Sequence, residues 1–513
     1  MRIEFLSVMA VLALTGSMTT GCAEPASEAP FHTAMAPAPE PGSFFIYPER
    51  IPLSDGGFEH AERRIFFAPV NRGRPENGVL GVEVYRFRAS PAADPDTPPI
   101  FYLHGGPSFE GLERSLEEVG TFEGFWKPLT DISDVVIVGQ RGIGSSKPTT
   151  TIGITSTARP AHEPFDAGRA GEELRSELAK ERRFWEESGL DLSGFTVLDL
   201  AEDVFEIRAA LGYQKIIIWG GSFGSHWGMG LMREHPEIIE RVILRGMEGP
   251  DHTYDHPGHL WNVFRRVAEE AEAAPELSGR IPEGGLIEAF EVFVRNAEAN
   301  PITVSVADPE GGTRHDVLID GTAAQRLARG FSDGLSGWPA DVIELTEGSL
   351  NRAATELYHQ ATRTEPEIRT AAFFQLDCGS GITPDRLAEQ TADPANQILF
   401  GMNWSYIAGC PAWDSDLGDA FRQNFETEIP AVIVHGTWDT STPLENALEL
   451  VPFFKNSKFV PVIRGPHGAI KAAMGASDEF ASGILHFAAT GDWGMVPDTV
   501  WMPPVRFRLP ESR

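Results

Sequence analysis

Gly220-Gly221-Ser222-Phe223-Gly224 follows the apolar run Lys215-Ile216-Ile217-Ile218-Trp219 and precedes a helix-like segment, 225–234. This is strand, sharp turn and helix, with a serine at the apex. A G-x-S-x-G turn needs small residues where the chains pass closely, and it holds the serine hydroxyl out from the carboxyl edge of a sheet. Ser222 is therefore the candidate nucleophile. Ser225 lies inside the helix and does not occupy the apex.

A serine hydroxyl is a weak nucleophile at neutral pH. It needs a base to take its proton and a carboxylate to orient that base. On this kind of sheet the chain order is Ser, then Asp or Glu, then His. Downstream, Ala431-Val432-Ile433-Val434-His435-Gly436 reads as a buried strand, and Asp439 sits in the loop just past it. A second strand, 458–463, runs into Arg464-Gly465-Pro466-His467-Gly468. Asp439 is the expected acid and His467 the expected base. His435 precedes the acid and ends its own strand, which gives it a structural reading.

Acyl transfer develops negative charge on a carbonyl oxygen, so backbone N–H groups must point at it. The short apolar strand 100–103 runs into His104-Gly105-Gly106-Pro107-Ser108. Pro107 has no N–H, so Gly105 or Gly106 must donate, and Gly106 is favoured. The second donor is the N–H of Phe223, the residue after the nucleophile.

With these residues in view the chain resembles the α/β-hydrolase family of prolyl iminopeptidases and tripeptidyl aminopeptidases. The resemblance rests on His104-Gly105-Gly106-Pro107, on Gly139-Gln140-Arg141-Gly142-Ile143-Gly144-Ser145-Ser146, and on Gly220 to Gly224. The carboxyl-terminal block, from Cys410-Pro411-Ala412-Trp413 through His467, resembles the tripeptidyl aminopeptidase-like branch. The likeness covers most of residues 65–250 and 405–490. It implies an α/β-hydrolase fold, a Ser-Asp-His triad and a peptidase activity. Two positions depart from the prolyl iminopeptidase pattern: Gly139 stands where that family has Asp, and Ser108 where it has Gly. Both fall in loops near the site, so the resemblance does not carry over a strict proline specificity. Arg141 has a structural reading, tying neighbouring loops by charged hydrogen bonds.

Length and composition agree with this reading. The 513 residues can bury a sizeable core, and the hydrophobic content of 42% is ordinary for a globular protein. A net charge of −32 argues against nucleic acid and anionic membrane surfaces as partners. The amino terminus reads as a processing signal: an apolar stretch at 5–14, small residues to Gly21, then Cys22. Thr20-Gly21-Cys22 resembles a bacterial lipoprotein cleavage box, in which the cysteine is lipidated. Export to the periplasm or envelope is expected, with plain secretion as the alternative. No other segment is apolar over about 18 residues, so no membrane span is expected. With Cys22 lipidated, Cys378 and Cys410 remain, an even number that can pair in an oxidising compartment; two unpaired core cysteines are the other reading.

Along the chain, 1–22 reads as a leader and 23–42 as a Pro- and Ala-rich linker. Residues 43–250 read as the first part of the hydrolase core. Antiparallel strands are expected at 65–70 and 79–88, then alternating strands and helices that predict a mostly parallel central sheet with helices on both faces. Residues 251–410 read as an inserted, mainly helical cap, and 411–513 as the second part of the core. Caps of this kind limit substrate size and exclude water.

An exopeptidase must also bind a free α-ammonium, which requires a carboxylate near the site. Glu248, following the strand after the nucleophile helix, is the candidate, with a solvated loop glutamate as the alternative. The cluster Asp251-His252 and Asp255-His256-Pro257-Gly258-His259 matches no strong zinc pattern, so neither metal nor cofactor is expected. The expected activity is an exported serine aminopeptidase acting on peptides. An esterase or other small-molecule hydrolase on the same machinery remains open, as does a catalytically silent binding protein.

Overall fold

In the computed structural model the described residues are 39–53, 57–107, 122–155, 157–307, 312–330, 334–365, 367–413 and 415–511. Cys22, the leader, Ser108 and all of the linker before residue 39 lie outside them.

Three amino-terminal strands, β1 (Phe44–Pro52), β2 (Phe58–Pro69) and β3 (Val79–Phe87), pair antiparallel in sequence. The next strands are β4 (Ile100–Leu103), β5 (Val135–Val138) and β6 (Thr151–Ile154), then β7 (Ile216–Ser222) and β8 (Ile239–Met247). β9 (Ile302–Ala307), β10 (Arg314–Ile319) and β11 (Glu367–Thr370) precede β12 (Ala431–Gly436), β13 (Ser457–Ile463) and β14 (Val500–Trp501). Ten of these form one sheet in the order β1-β2-β3-β5-β4-β7-β8-β12-β13-β14. From β5 onward all neighbours are parallel.

The central strands read as continuous apolar runs because both sheet faces are covered. Along β7, Ile216 and Ile218 pack into one layer with Val138 and Trp227, while Ile217 and Trp219 pack into the other with Tyr102 and Ile137. Helix α1 (Ala167–Glu187), α2 (Val197–Ala210) and α3 (Phe223–Glu234) belong to the first of these layers. The side chain of Thr196 accepts from the amide of Asp199 and so starts α2.

Beyond β8 the chain builds a separate apolar core from α4 (Pro257–Glu272), α5 (Gly285–Ala299), α6 (Gly321–Arg326), α7 (Trp338–Thr346) and α8 (Asn351–Thr362). Trp261, Phe264, Phe290 and Trp338 stack at its centre. The chain then returns. β11 pairs with β6, and α9 (Ala371–Ser380) buries Ala371, Phe374 and Leu376 in the core of the main sheet. α10 (Pro384–Ala392) and α11 (Trp404–Gly409) follow. A disulfide joins Cys378 on α9 to Cys410 at the end of α11, with the Cα atoms 5.2 Å apart. Among the described residues no helix is long and apolar enough to cross a membrane.

Candidate active site

Ser222 ends β7 and starts α3 with φ 56° and ψ −133°, a backbone state that a residue with a side chain adopts only at a cost. The turn is held from both sides. Ser225 donates its hydroxyl to the Ser222 carbonyl at 2.7 Å. Gly224 passes so close to β4 that a Cβ there would collide with the carbonyl oxygen of Leu103.

The other two expected residues arrive from the far side of the sheet. Asp439 follows β12 and is fully buried. Its Oδ1 accepts the amides of Ser441 and Thr442, each at 2.9 Å, and its Oδ2 accepts the Thr442 hydroxyl at 2.9 Å. His467 follows β13; its Nδ1 lies 2.9 Å from Oδ1 and 2.8 Å from Oδ2 of Asp439. Burial alone would raise the Asp439 carboxyl. The hydrogen bond from His467, and then the charge of that imidazole, outweigh it and hold the acid below its ordinary value.

The serine and the histidine flank the same residues of β8. Ser222 pairs with Met247, and a Cβ on Gly246 would lie 3.0 Å from His467 Cε1. Gly246 also has φ 51°, so this position needs glycine twice over. Arg245, one residue earlier, donates from Nη1 to the His467 carbonyl at 3.1 Å. His435 is buried, and burial lowers its pKa to about 4; its Nε2 lies 3.3 Å from the Pro443 carbonyl. It is neutral and held within the fold.

The loop with Gly106 runs against the serine: a Cβ on Gly105 would lie 3.2 Å from Ser222 Cβ. Gln140 secures this loop from the side chain, donating from Nε2 to the carbonyls of His104 and Gly105 at 3.2 Å each. Arg141 is fully buried and holds Asp203 through Nε at 2.9 Å and Nη2 at 2.6 Å, while its Nη1 donates to the carbonyls of Val70 and Gly194. Phe223, the other expected donor, is the first residue of α3.

Glu248 is one residue past β8, and its amide donates to Ser225 Oγ at 2.9 Å. The residue is half-buried while its carboxyl is enclosed by protein, which sets it in a recess. Two further acids act on it: Asp255, read in the sequence only as part of a His- and Asp-rich cluster, and Asp377, which sequence reasoning did not single out. Burial raises Glu248 well above the carboxylate range, with Asp377 and Asp255 adding to the rise. Asp255 is pushed up to about 6, first by burial; the charges of Arg329, Asp439 and His467 also act on it, which sets it beside the Asp439–His467 pair. Asp377 on α9 is pushed up to about 7, again first by burial; a hydrogen bond from Tyr406 and the charge of Arg369 pull against this. The Tyr406 hydroxyl donates to Asp377 Oδ2 at 2.7 Å. Asp377 sits next to Cys378 and Tyr406 lies on α11, so the disulfide staples together the two helices that make this bond. Among the described residues no group of His, Cys, Asp and Glu is arranged to hold a metal ion.

A family model for the alpha/beta hydrolase fold matches residues 98–273, the span from β4 through the nucleophile turn and into α4. This chain has the α/β-hydrolase fold. Curated relatives of the hydrolase are peptidases. It is 27% identical over 172 residues to the proline iminopeptidase of Neisseria meningitidis serogroup A, covering 33% of this chain and 40% of that protein. It is 25% identical over 415 residues to the tripeptidyl aminopeptidase of Streptomyces coelicolor, covering 76% and 74%. It is 30% identical over 190 residues to the serine protease Hip1 of Mycobacterium tuberculosis strain H37Rv, covering 36% and 35%. The hydrolase thus spans about two fifths of the length of the iminopeptidases it matches and three quarters of the tripeptidyl aminopeptidase. The coarse assignment is a serine hydrolase of the α/β family.

Proposed function

We propose that the protein is an aminopeptidase that releases residues or short peptides from free amino termini through an acyl-enzyme on Ser222. The observation that carries this reading is that Glu248, Asp255 and Asp377 lie near enough to raise one another, with Asp255 also within the electrostatic reach of Asp439 and His467. Three enclosed carboxyls are costly, and the charges of Arg329 and Arg369 do not offset the rise of Asp255 and Asp377. An α-ammonium supplies a further cation and restores their ionisation. The names of the relatives support the same chemistry.

In this mechanism His467 takes the Ser222 hydroxyl proton as the oxygen attacks the scissile carbonyl. Asp439 fixes the tautomer with Nδ1 protonated and stabilises the imidazolium. The backbone N–H groups of Gly106 and Phe223 receive the oxyanion. His467 then gives its proton to the leaving amine. Water, deprotonated by the same histidine, releases the N-terminal fragment and restores Ser222. The helices of 257–362 limit access to this space, and lipidation at Cys22 with export to the envelope belongs to the same proposal.

The test is a panel of amino-acyl and tripeptidyl amides with free or acetylated amines, beside a simple activated ester. The reading requires free amines to be preferred. Equal cleavage of free and blocked peptides, or a preference for the ester over both, overturns it in favour of an esterase.

A further inference from the structure

A cavity of about 430 Å³ is lined by Phe165, Arg326, Arg369 and Tyr406, a size that suits a small ligand or a substrate side chain. None of the triad residues lines it. Its wall includes Tyr406, whose hydroxyl reaches Asp377, and Arg369, whose charge acts on Asp377. Cavity and recess therefore adjoin across a single aromatic ring.

The charge of the cavity is opposite to that of the recess. In its wall the Phe165 ring meets two guanidinium groups, with Arg159 5.1 Å and Arg326 4.8 Å from the ring centroid. Most of the charges around them are already satisfied. Glu173 accepts from Arg159 at 3.0 Å and lies 3.6 Å from Arg169. Glu367 pairs with Arg369. Asp320 caps α6, its Oδ1 accepting the Ala323 amide at 2.8 Å. Glu163 is exposed to solvent. Among the described residues no hydrogen bond or ion pair engages Arg326. Burial, and then the charge of Arg159, lower its pKa, while the carboxylates of Asp320 and Glu356 act the other way without bonding to it. In a chain of net charge −32, an unpaired arginine facing a cavity is a specific feature.

We infer that this cavity is a subsite for a carboxylate on the side chain of the substrate residue that carries the free amine, with Arg326 as its partner. The inference rests on the aminopeptidase reading. The α-ammonium sits with Glu248, Asp255 and Asp377, and an Asp or Glu side chain on the same residue passes Tyr406 to meet the guanidinium. Arg suits this role because its planar fork binds a carboxylate through two parallel hydrogen bonds.

The experiment compares amides that differ only in an N-terminal Glu or Gln, using the full-length enzyme. The expected result is a kcat/KM for Glu on the order of tenfold above Gln, as one charge-assisted pair supplies. Arg326→Gln brings the Glu substrate down to the level of Gln, and Arg326→Lys retains part of the preference. Equal rates in the wild type, or a preference that survives Arg326→Gln, overturn the subsite. Calorimetric binding of Glu-Ala-Ala and Gln-Ala-Ala to the Ser222→Ala protein separates this from failure of the wider reading. If no amide is cleaved but the Glu peptide binds more tightly, and Arg326→Gln removes the difference, the aminopeptidase reading falls and the subsite stands. Equal binding of the two peptides, or no binding of either, overturns the subsite whatever the turnover.

Discussion

His467 Nδ1 lies within 2.9 Å of both carboxylate oxygens of Asp439, and Thr442 donates its hydroxyl to that carboxylate while standing 3.2 Å from the same ring nitrogen. The acid is thus fixed by three donors besides the imidazole. Asp439→Asn should leave the fold intact and reverse the tautomer preference of His467. The expected loss in kcat is on the order of 10⁴, read with any turned-over substrate. A loss of less than tenfold would remove Asp439 from the role of acid.

Ser222 joins function to backbone strain. Ser222→Ala should abolish turnover, with a loss on the order of 10⁶ in kcat. Ser222→Gly should be equally inactive but more stable, because glycine adopts φ 56° without the cost of about 1–3 kcal/mol that a side chain brings. Thermal melting of the wild type and the two variants checks this; a glycine variant that melts below the alanine variant contradicts it.

Glu248→Gln and Asp255→Asn should each flatten the difference between free and acetylated peptides while leaving Ser222 reactive toward a small activated ester. Loss of one charged hydrogen bond corresponds to roughly 10- to 200-fold in kcat/KM for the free-amine substrate. An unchanged ratio of free to blocked rates in both variants would separate the recess from amine recognition.

Asp377 titrates near neutrality because burial raises it to about 7. A carboxyl raised above its unfolded value favours the folded state fully below the unfolded pKa, near 3.8 to 3.9, and that contribution is lost as pH rises through about 7. Asp377→Asn removes this dependence and keeps an oxygen to accept from Tyr406. The variant should melt close to wild type at pH 4 and several degrees above it at pH 8. A difference that shrinks with rising pH would contradict the assignment.

The Cys378–Cys410 bridge closes a loop of 32 residues in sequence separation, worth roughly 3–4 kcal/mol in the chain-entropy treatment. Replacing both cysteines by serine should lower the melting temperature. It should also weaken the preference for free amines, since the bridge holds α9 against α11 and with them Asp377 against Tyr406. Ester turnover should fall much less. A variant with full free-amine preference would show that the hydrogen bond is held without the bridge.

The parts of this site that were legible in the sequence are those where local chemistry repeats local structure. The run 216–219, the small residues around Ser222 and the loop ends at Asp439 and His467 each carry a backbone requirement visible in a few residues. The same holds for strands β2 to β5 and for the helical run 257–362, whose periodicity is strong. β1 escaped because Phe45, Ile46 and Tyr47 are all exposed, so it shows no buried face. α1 escaped because only Ala170, Gly171 and Leu178 are buried along 21 residues. Asp255 read as one member of a His- and Asp-rich cluster, and Asp377 gave no local signal at all. Its role depends on α9 returning to the core of the sheet, which is a tertiary fact.

β12 inserts beside β8, so that Ala431 pairs with Val242 across everything between them. The strand that leads to the nucleophile is β7, but the acid and base follow β12 and β13, far later in the chain. A chain ending before β12 carries Ser222 but no His467 to activate it. Such a chain also leaves an open sheet edge at β8, with Val242 and Leu244 exposed where Ala431 and Ile433 belong. Activity therefore reports that β12 and β13 have docked beside β8, whatever the state of the serine turn.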